Sequence, residues 1–166
     1  MLNRVNEVDL NLSQMPGRRM NVLILDDSDV DRKRLVRLCA EAGLNFACTE
    51  VPTLDAMRGA LRSQKFDIVF IDHLLVAENG LDAVKVLADD AEQTAVSIMI
   101  AGEGRIDVAV EAMRRGCSDY MLKSALSVES LQKSVATALE RRILHLALNE
   151  ERDQRRKFEL AVRQYA

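Results

Sequence analysis

Val22-Leu23-Ile24-Leu25-Asp26-Asp27-Ser28 is the stretch that decides how the chain is read. Four consecutive branched apolar residues describe a strand buried on both faces, as in parallel sheets. The run then stops abruptly at two acids and a helix-starting serine. Open α/β sheets bind their ligands at the carboxyl ends of strands, which is where this acid pair falls. Adjacent carboxylates repel each other, and a hard divalent cation such as Mg²⁺, which takes one or two carboxylates plus water and phosphate oxygens, accounts for the pair. The other reading is that one acid caps the next helix while its neighbour is merely exposed.

The same signature recurs downstream. Ile68-Val69-Phe70-Ile71 is a second apolar run and ends in Asp72; Tyr120-Met121-Leu122 is a short one and delivers Lys123. Asn45 to Glu50 and Val96 to Ile100 read as the remaining strands, with Ala101-Gly102-Glu103-Gly104 as the loop after the latter. Helices lie between them. One runs from Ser28 or Asp29 to Ala42 with Val30, Leu35, Leu38 and Cys39 at helical spacing, and Gly43 stops it. Others run from Thr53 to Arg62, from Leu81 to Ala88, and from Ile106 to Arg115 ahead of Gly116. Strand–helix alternation repeated five times calls for a doubly wound parallel sheet with helices on both faces. Parallel strands share one carboxyl end, so Asp26, Asp27, Asp72 and Lys123 converge on one edge. Asp72 is placed to act as a nucleophile toward a phosphoryl group, Lys123 to contact a phosphate oxygen, and Gly102 to leave room for a substrate. Alternatively, Lys123 only pairs with the acids, which leaves the assembly of three acids unexplained.

Composition bounds the function. The chain has 166 residues, 48% hydrophobic and 30% charged, with a net charge of −3. That fits one ordinary domain with extensions and gives no basic field for nucleic acid or an anionic membrane. No apolar run approaches a membrane span, and the first twenty residues do not read as a signal peptide, so a cytoplasmic location is expected. Three cysteines outside any CxxC pattern argue against a disulfide framework or a zinc site. Cys39, Cys117, Met99, Met113 and Met121 read as core residues, His73 as loop packing and His145 as helix surface.

Leu25-Asp26-Asp27-Ser28, Asp72 with Gly80 eight residues on, and Gly116-Cys117-Ser118-Asp119-Tyr120-Met121-Leu122-Lys123 together resemble the receiver domain of bacterial two-component response regulators. The resemblance covers residues 20–142. It implies a flavodoxin-like sheet in strand order 2-1-3-4-5, and a phosphoryl group accepted by Asp72 from a sensor histidine kinase or phosphotransfer protein. It further implies Mg²⁺ held by Asp26, Asp27, Asp72 and the carbonyl of Leu74, Lys123 on the phosphoryl group, Tyr120 as the aromatic switch, and Gly102, Glu103 and Leu74 lining the phosphoryl pocket. In that role Leu74 excludes water and Glu103 orients it. Three positions depart from the family pattern. Ala101 stands where the switch hydroxyl is expected, Ser124 replaces the proline after the lysine, and Val76 replaces a common loop proline. Ala101 implies weakened coupling between phosphorylation and Tyr120.

Flanking segments complete the organisation. Residues 1–19, broken by Pro16-Gly17, read as a leader, and residues 143–166 as a helical extension. The last helix, starting near Ser127, packs on the sheet through Leu131, Val135, Ala138 and Leu139. It then carries Ile143, Leu146, Phe158 and Val162 along a polar stretch supported by Glu151–Arg155, Asp153–Lys157 and Glu159–Arg163 pairs. Homodimerisation through this helix is one expectation and fraying past residue 150 the other. A Mg²⁺ phosphohydrolase with its nucleophile on the first strand fits poorly, because Ser28 stands where its second acid is required; the chain is therefore not expected to be an enzyme. A phosphorylation-independent interaction module, favoured by Ala101, is the remaining alternative.

Overall fold

The computed structural model describes residues 19–165. The expected leader lies outside the described residues except for its last position. Five parallel strands form the sheet: β1 (Met20–Leu25), β2 (Phe46–Val51), β3 (Ile68–Asp72), β4 (Val96–Ala101) and β5 (Asp119–Leu122), in the order β2-β1-β3-β4-β5. The connecting helices are α1 (Asp29–Glu41), α2 (Leu54–Ser63), α3 (Gly80–Asp89) and α4 (Ile106–Arg114), and α5 (Val128–Gln164) follows β5.

The unbroken apolar runs follow from burial on both faces. Along β1, Leu23 and Leu25 face a core shared with α2, α3 and α4, while Val22 and Ile24 face one shared with α1 and α5. Strand β3 divides likewise, Val69 and Ile71 to one side and Ile68 and Phe70 to the other. Each such fully buried side chain contributes about 1.5–3 kcal/mol, so the central strands are the most strongly fixed part of the sheet. Helix starts are set by side-chain caps. Ser28 accepts from the Asp31 amide, Thr53 from Ala56 and Asn79 from Leu81, and Ser127 with Ser130 forms a reciprocal capping box. Gly43, at φ +71°, and Gly116, at φ +105°, take the left-handed backbone that closes α1 and α4.

Several expectations change. Val30 is 74% exposed, because it lies on the outer side of α1; Leu35 and Cys39 carry the buried face. Met113 is 41% exposed on α4 instead of filling the core, whereas Met99 and Met121 are buried. Ala101 belongs to β4, not to the loop, since it pairs with Leu122 as the last step of the β4–β5 register. Helix α5 is continuous over 37 residues, about 55 Å at 1.5 Å per residue. Its buried residues end at Leu139. Arg142 then ties it to the sheet, reaching Asp67 at 3.2 Å and the Thr94 hydroxyl at 2.9 Å. Past that point its apolar residues, Ile143, Leu146, Phe158 and Val162 among them, are exposed, and Glu151 pairs with Arg155 at 3.7 Å.

Candidate functional site

Register brings the acids together. Leu25 pairs with Ile71, so Asp26, the next residue, emerges beside Asp72. Asp72 pairs with Ile100, which pairs with Met121, and Lys123 lies two residues beyond on the same face. Carboxylate oxygens of Asp26, Asp27 and Asp72 all fall within 4.8 Å of one another. Lys123 Nζ stands 3.5 Å from both Asp26 Oδ2 and Asp72 Oδ1.

The local backbone is built to hold this geometry. Asp26 Oδ1 accepts from the Ser28 amide at 2.8 Å, and the Asp26 carbonyl accepts from Arg32 Nη1 at 2.6 Å. Arg32 also reaches Asp29 at 3.1 Å and Glu50 at 3.4 Å, which pins the β1–α1 turn to β2. After Asp72, the His73 amide donates to Ile100 O at 2.9 Å and the Gly80 amide to His73 O at 2.8 Å. Gly80 is dictated by this fold-back: a Cβ there would collide with the Asp72 carbonyl. The Asp72–Gly80 spacing noted in the sequence therefore has a steric cause.

Electrostatics favour a cation. Burial pushes the Asp72 carboxyl up to about 6, helped by the charge of Asp26 and opposed by Lys123. Burial also raises Asp26, against the pull of the Ser28 amide and Lys123, with the Asp31 charge adding to the rise. Lys123 is desolvated as well, but its bond to Asp31 and the charges of Asp26 and Asp72 more than offset this and hold it above the ordinary lysine value. Three hard oxygen donors, two of them raised by burial, are the donor chemistry that a small divalent cation takes. The residues fit the group.

The other sequence-derived site residues form the rim. Leu74 pairs with Asn79 across the β3–α3 loop, and its side chain is 66% exposed. Ala101 is wholly buried at the end of β4. Gly102 and Glu103 are exposed, and a side chain at Gly102 would meet nothing within 4 Å. Tyr120 donates its hydroxyl to the Glu103 carbonyl at 3.0 Å, which ties β5 to the β4–α4 loop. Two residues escaped the sequence reading, Arg32 and Asp31. Asp31 Oδ2 takes Lys123 Nζ at 2.7 Å, closer than either strand-end acid. The only signal was a second acid in the first turn of α1, which on its own reads as dipole complementation. A groove of about 630 Å³ lined by Leu87, Gln93, Arg141 and His145 lies at the start of β4, the opposite end of the sheet, and contains none of these acids.

Comparison with known proteins agrees with this geometry. The family model described as response regulator receiver domain matches residues 22–136. The alginate biosynthesis transcriptional regulatory protein AlgB of Pseudomonas aeruginosa is 31% identical over 147 residues, 87% of this chain and 31% of that regulator. The chain thus spans about a third of the length of this relative. A response regulator of Burkholderia pseudomallei, solved with a phosphorylated aspartic acid, a calcium ion and citrate, is 26% identical, covers 82% of each chain and superposes with a TM-score of 0.63. NtrX from Brucella abortus has a TM-score of 0.70 at 23% identity over 80% of this chain and 29% of its own, which bears on the fold alone. Receiver domains bind a divalent metal, and the Asp26, Asp27 and Asp72 cluster is where such a metal fits here. The chain belongs to the response regulator receiver domain family.

Proposed function

We propose that Asp72 accepts a phosphoryl group from a sensor histidine kinase or phosphotransfer protein, in a Mg²⁺-dependent reaction that alters contacts with partner proteins. The observation that carries this reading is the convergence of three carboxylates and one ammonium at the carboxyl end of the sheet. Asp26, Asp27, Asp72 and the Leu74 carbonyl would hold Mg²⁺. Bound there, the cation offsets charge on the phosphoryl oxygens. Asp72 attacks phosphorus, Lys123 contacts a phosphoryl oxygen, and Gly102 leaves the approach open. Leu74 and Glu103 set water access to the acyl phosphate. The phosphorylated aspartate of the Burkholderia pseudomallei protein supports the assignment by similarity.

In this reading residues 20–142 are the receiver unit, residues 143–166 a C-terminal helical extension and residues 1–19 a leader. The extension presents Ile143, Leu146, Phe158 and Val162 to solvent, which supports self-association of two copies along α5. A concentration-independent monomer mass in sedimentation would remove that assignment. The function itself is tested with acetyl phosphate, with and without Mg²⁺, using Asp72→Ala as control. Mg²⁺-dependent label that disappears in the variant is the expected result. Absence of label with intact Mg²⁺ binding would favour the second reading, a phosphorylation-independent interaction module, for which Ala101 is the specific observation.

A further inference from the structure

We propose that Asp31 is a positioning residue that holds Lys123 off Asp72 and sets the rate at which Asp72 takes a phosphoryl group. This rests on the phosphoryl-acceptor reading of Asp72 and adds a control element from α1.

The geometry is asymmetric. Lys123 Nζ is within hydrogen-bond distance of Asp31 Oδ2, at 2.7 Å, whereas Asp26 Oδ2 and Asp72 Oδ1 are both at 3.5 Å. An ammonium has three protons, and the shortest, charge-assisted bond determines where it rests. That bond draws Lys123 toward α1, across 92 residues of sequence, and leaves Asp72 with a longer ion pair. Asp31 is itself held, since its amide donates to the Ser28 cap at 3.2 Å. Its position therefore follows from how α1 starts.

The reaction changes what competes for Lys123. One Asp72 carboxylate oxygen forms a bond to phosphorus; the bond from phosphorus to the donor breaks, and its electron pair leaves with the donor, as acetate when the donor is acetyl phosphate. The site exchanges a singly charged carboxylate for a phosphoryl group carrying up to two negative charges. Lys123 must then leave Asp31 to contact a phosphoryl oxygen. Breaking that bond opposes the forward step, and Asp31 re-forms it once the phosphoryl group is gone.

The test compares wild type with Asp31→Asn, which keeps the size and the amide cap but removes the charge that holds the lysine. Phosphorylation by acetyl phosphate is followed by intact mass at saturating Mg²⁺, and Mg²⁺ affinity is measured separately by calorimetry. Because both side chains are partly solvated, the gain is modest, and Asp31→Asn labels about five- to tenfold faster. Its Mg²⁺ affinity falls by about twofold to fivefold, because one nearby negative charge is lost. Asp31→Glu, which keeps the charge, stays within about twofold of the wild-type rate. In a Lys123→Met background, Asp31→Asn gives no acceleration, because the effect passes through the lysine. Equal or slower labelling by Asp31→Asn, or an acceleration that persists without Lys123, would overturn the inference while leaving the acceptor role intact. A wild type that takes no label overturns both.

Discussion

Replacing Asp72 by Asn should stabilise the metal-free protein, and by an amount that depends on pH. The Asp72 carboxyl rises from its ordinary 3.8 to about 6, with burial as the main cause and the Asp26 charge next. Over that interval the folded chain keeps a proton that the unfolded chain has lost. The stabilising share of the protonated group is therefore full below pH ~4 and is lost as pH rises through ~6. At pH 7, keeping Asp72 ionised costs the fold about 3 kcal/mol, from ~1.4 kcal/mol per tenfold change in acidity. Asn removes this cost, and Lys123 is not left without a partner, because Asp31 still takes it at 2.7 Å. Urea and thermal unfolding followed by circular dichroism in chelator, at pH 4 and pH 7, measure the difference. The two proteins should be nearly equal at pH 4. At pH 7 the variant should be more stable by about 2–3 kcal/mol, a melting shift of about 4–12 °C for a chain of this size. Mg²⁺ at a hundred times its dissociation constant should return about 2.7 kcal/mol to wild type and distinctly less to the variant. Stability curves that run parallel from pH 4 to pH 7, or a variant less stable at pH 7, would refute the electrostatic account.

The remaining predictions concern particular contacts. Gly80→Ala forces its Cβ against the Asp72 carbonyl, so urea unfolding should show a loss of about 2–3 kcal/mol and phosphorylation should fall as the acceptor is displaced. Ala101→Thr adds a hydroxyl at a wholly buried position beside the acids and should cost about 1–2 kcal/mol in the same assay. It should also make tyrosine fluorescence respond to acetyl phosphate more strongly than in wild type, since Tyr120 then has a partner linked to the phosphoryl group; an unchanged response would place the switch elsewhere. Among the cysteines, Cys48 should be alkylated first in the folded protein, because Cys39 and Cys117 are buried and burial holds the Cys39 thiol up at about 12. Mass mapping after brief exposure to a thiol reagent decides this, and early labelling of Cys39 would contradict it.

The parts of the structure that were legible in the sequence are those with local causes. Strand β1 could be read because burial on both faces demands an unbroken apolar run, and its end could be read because the run stops at charge. Ser28 and Ser127 sit where helix starts require an acceptor for orphan amides. Val30 and Met113 were misplaced for a related reason: an apolar residue on the edge of a helical stripe has the right spacing whether or not a neighbour covers it. Ala101 was assigned to a loop because the glycine after it dominates the local pattern, whereas pairing with Leu122 extends the strand by one step.

Asp31 was illegible for a deeper reason, and that reason bears on how such a site is tuned. The acids at strand ends are fixed by the sheet: any sequence with this register brings positions 26 and 72 together. The partner of Lys123 is fixed instead by where the first turn of α1 meets the residue after β5, a meeting between segments 92 residues apart that leaves no periodic trace. In the proposed mechanism, chemistry and tuning thus reside on different elements. On the proposed reading Asp26, Asp27 and Asp72 are the cation's ligands and are constrained by that role, but position 31 lies one helical turn away and is partly exposed, so a substitution there changes how tightly Lys123 is held and leaves the three carboxylates in place. If Asp72 is the phosphoryl acceptor, its rate can therefore shift through α1 while the sheet that builds the site remains constant.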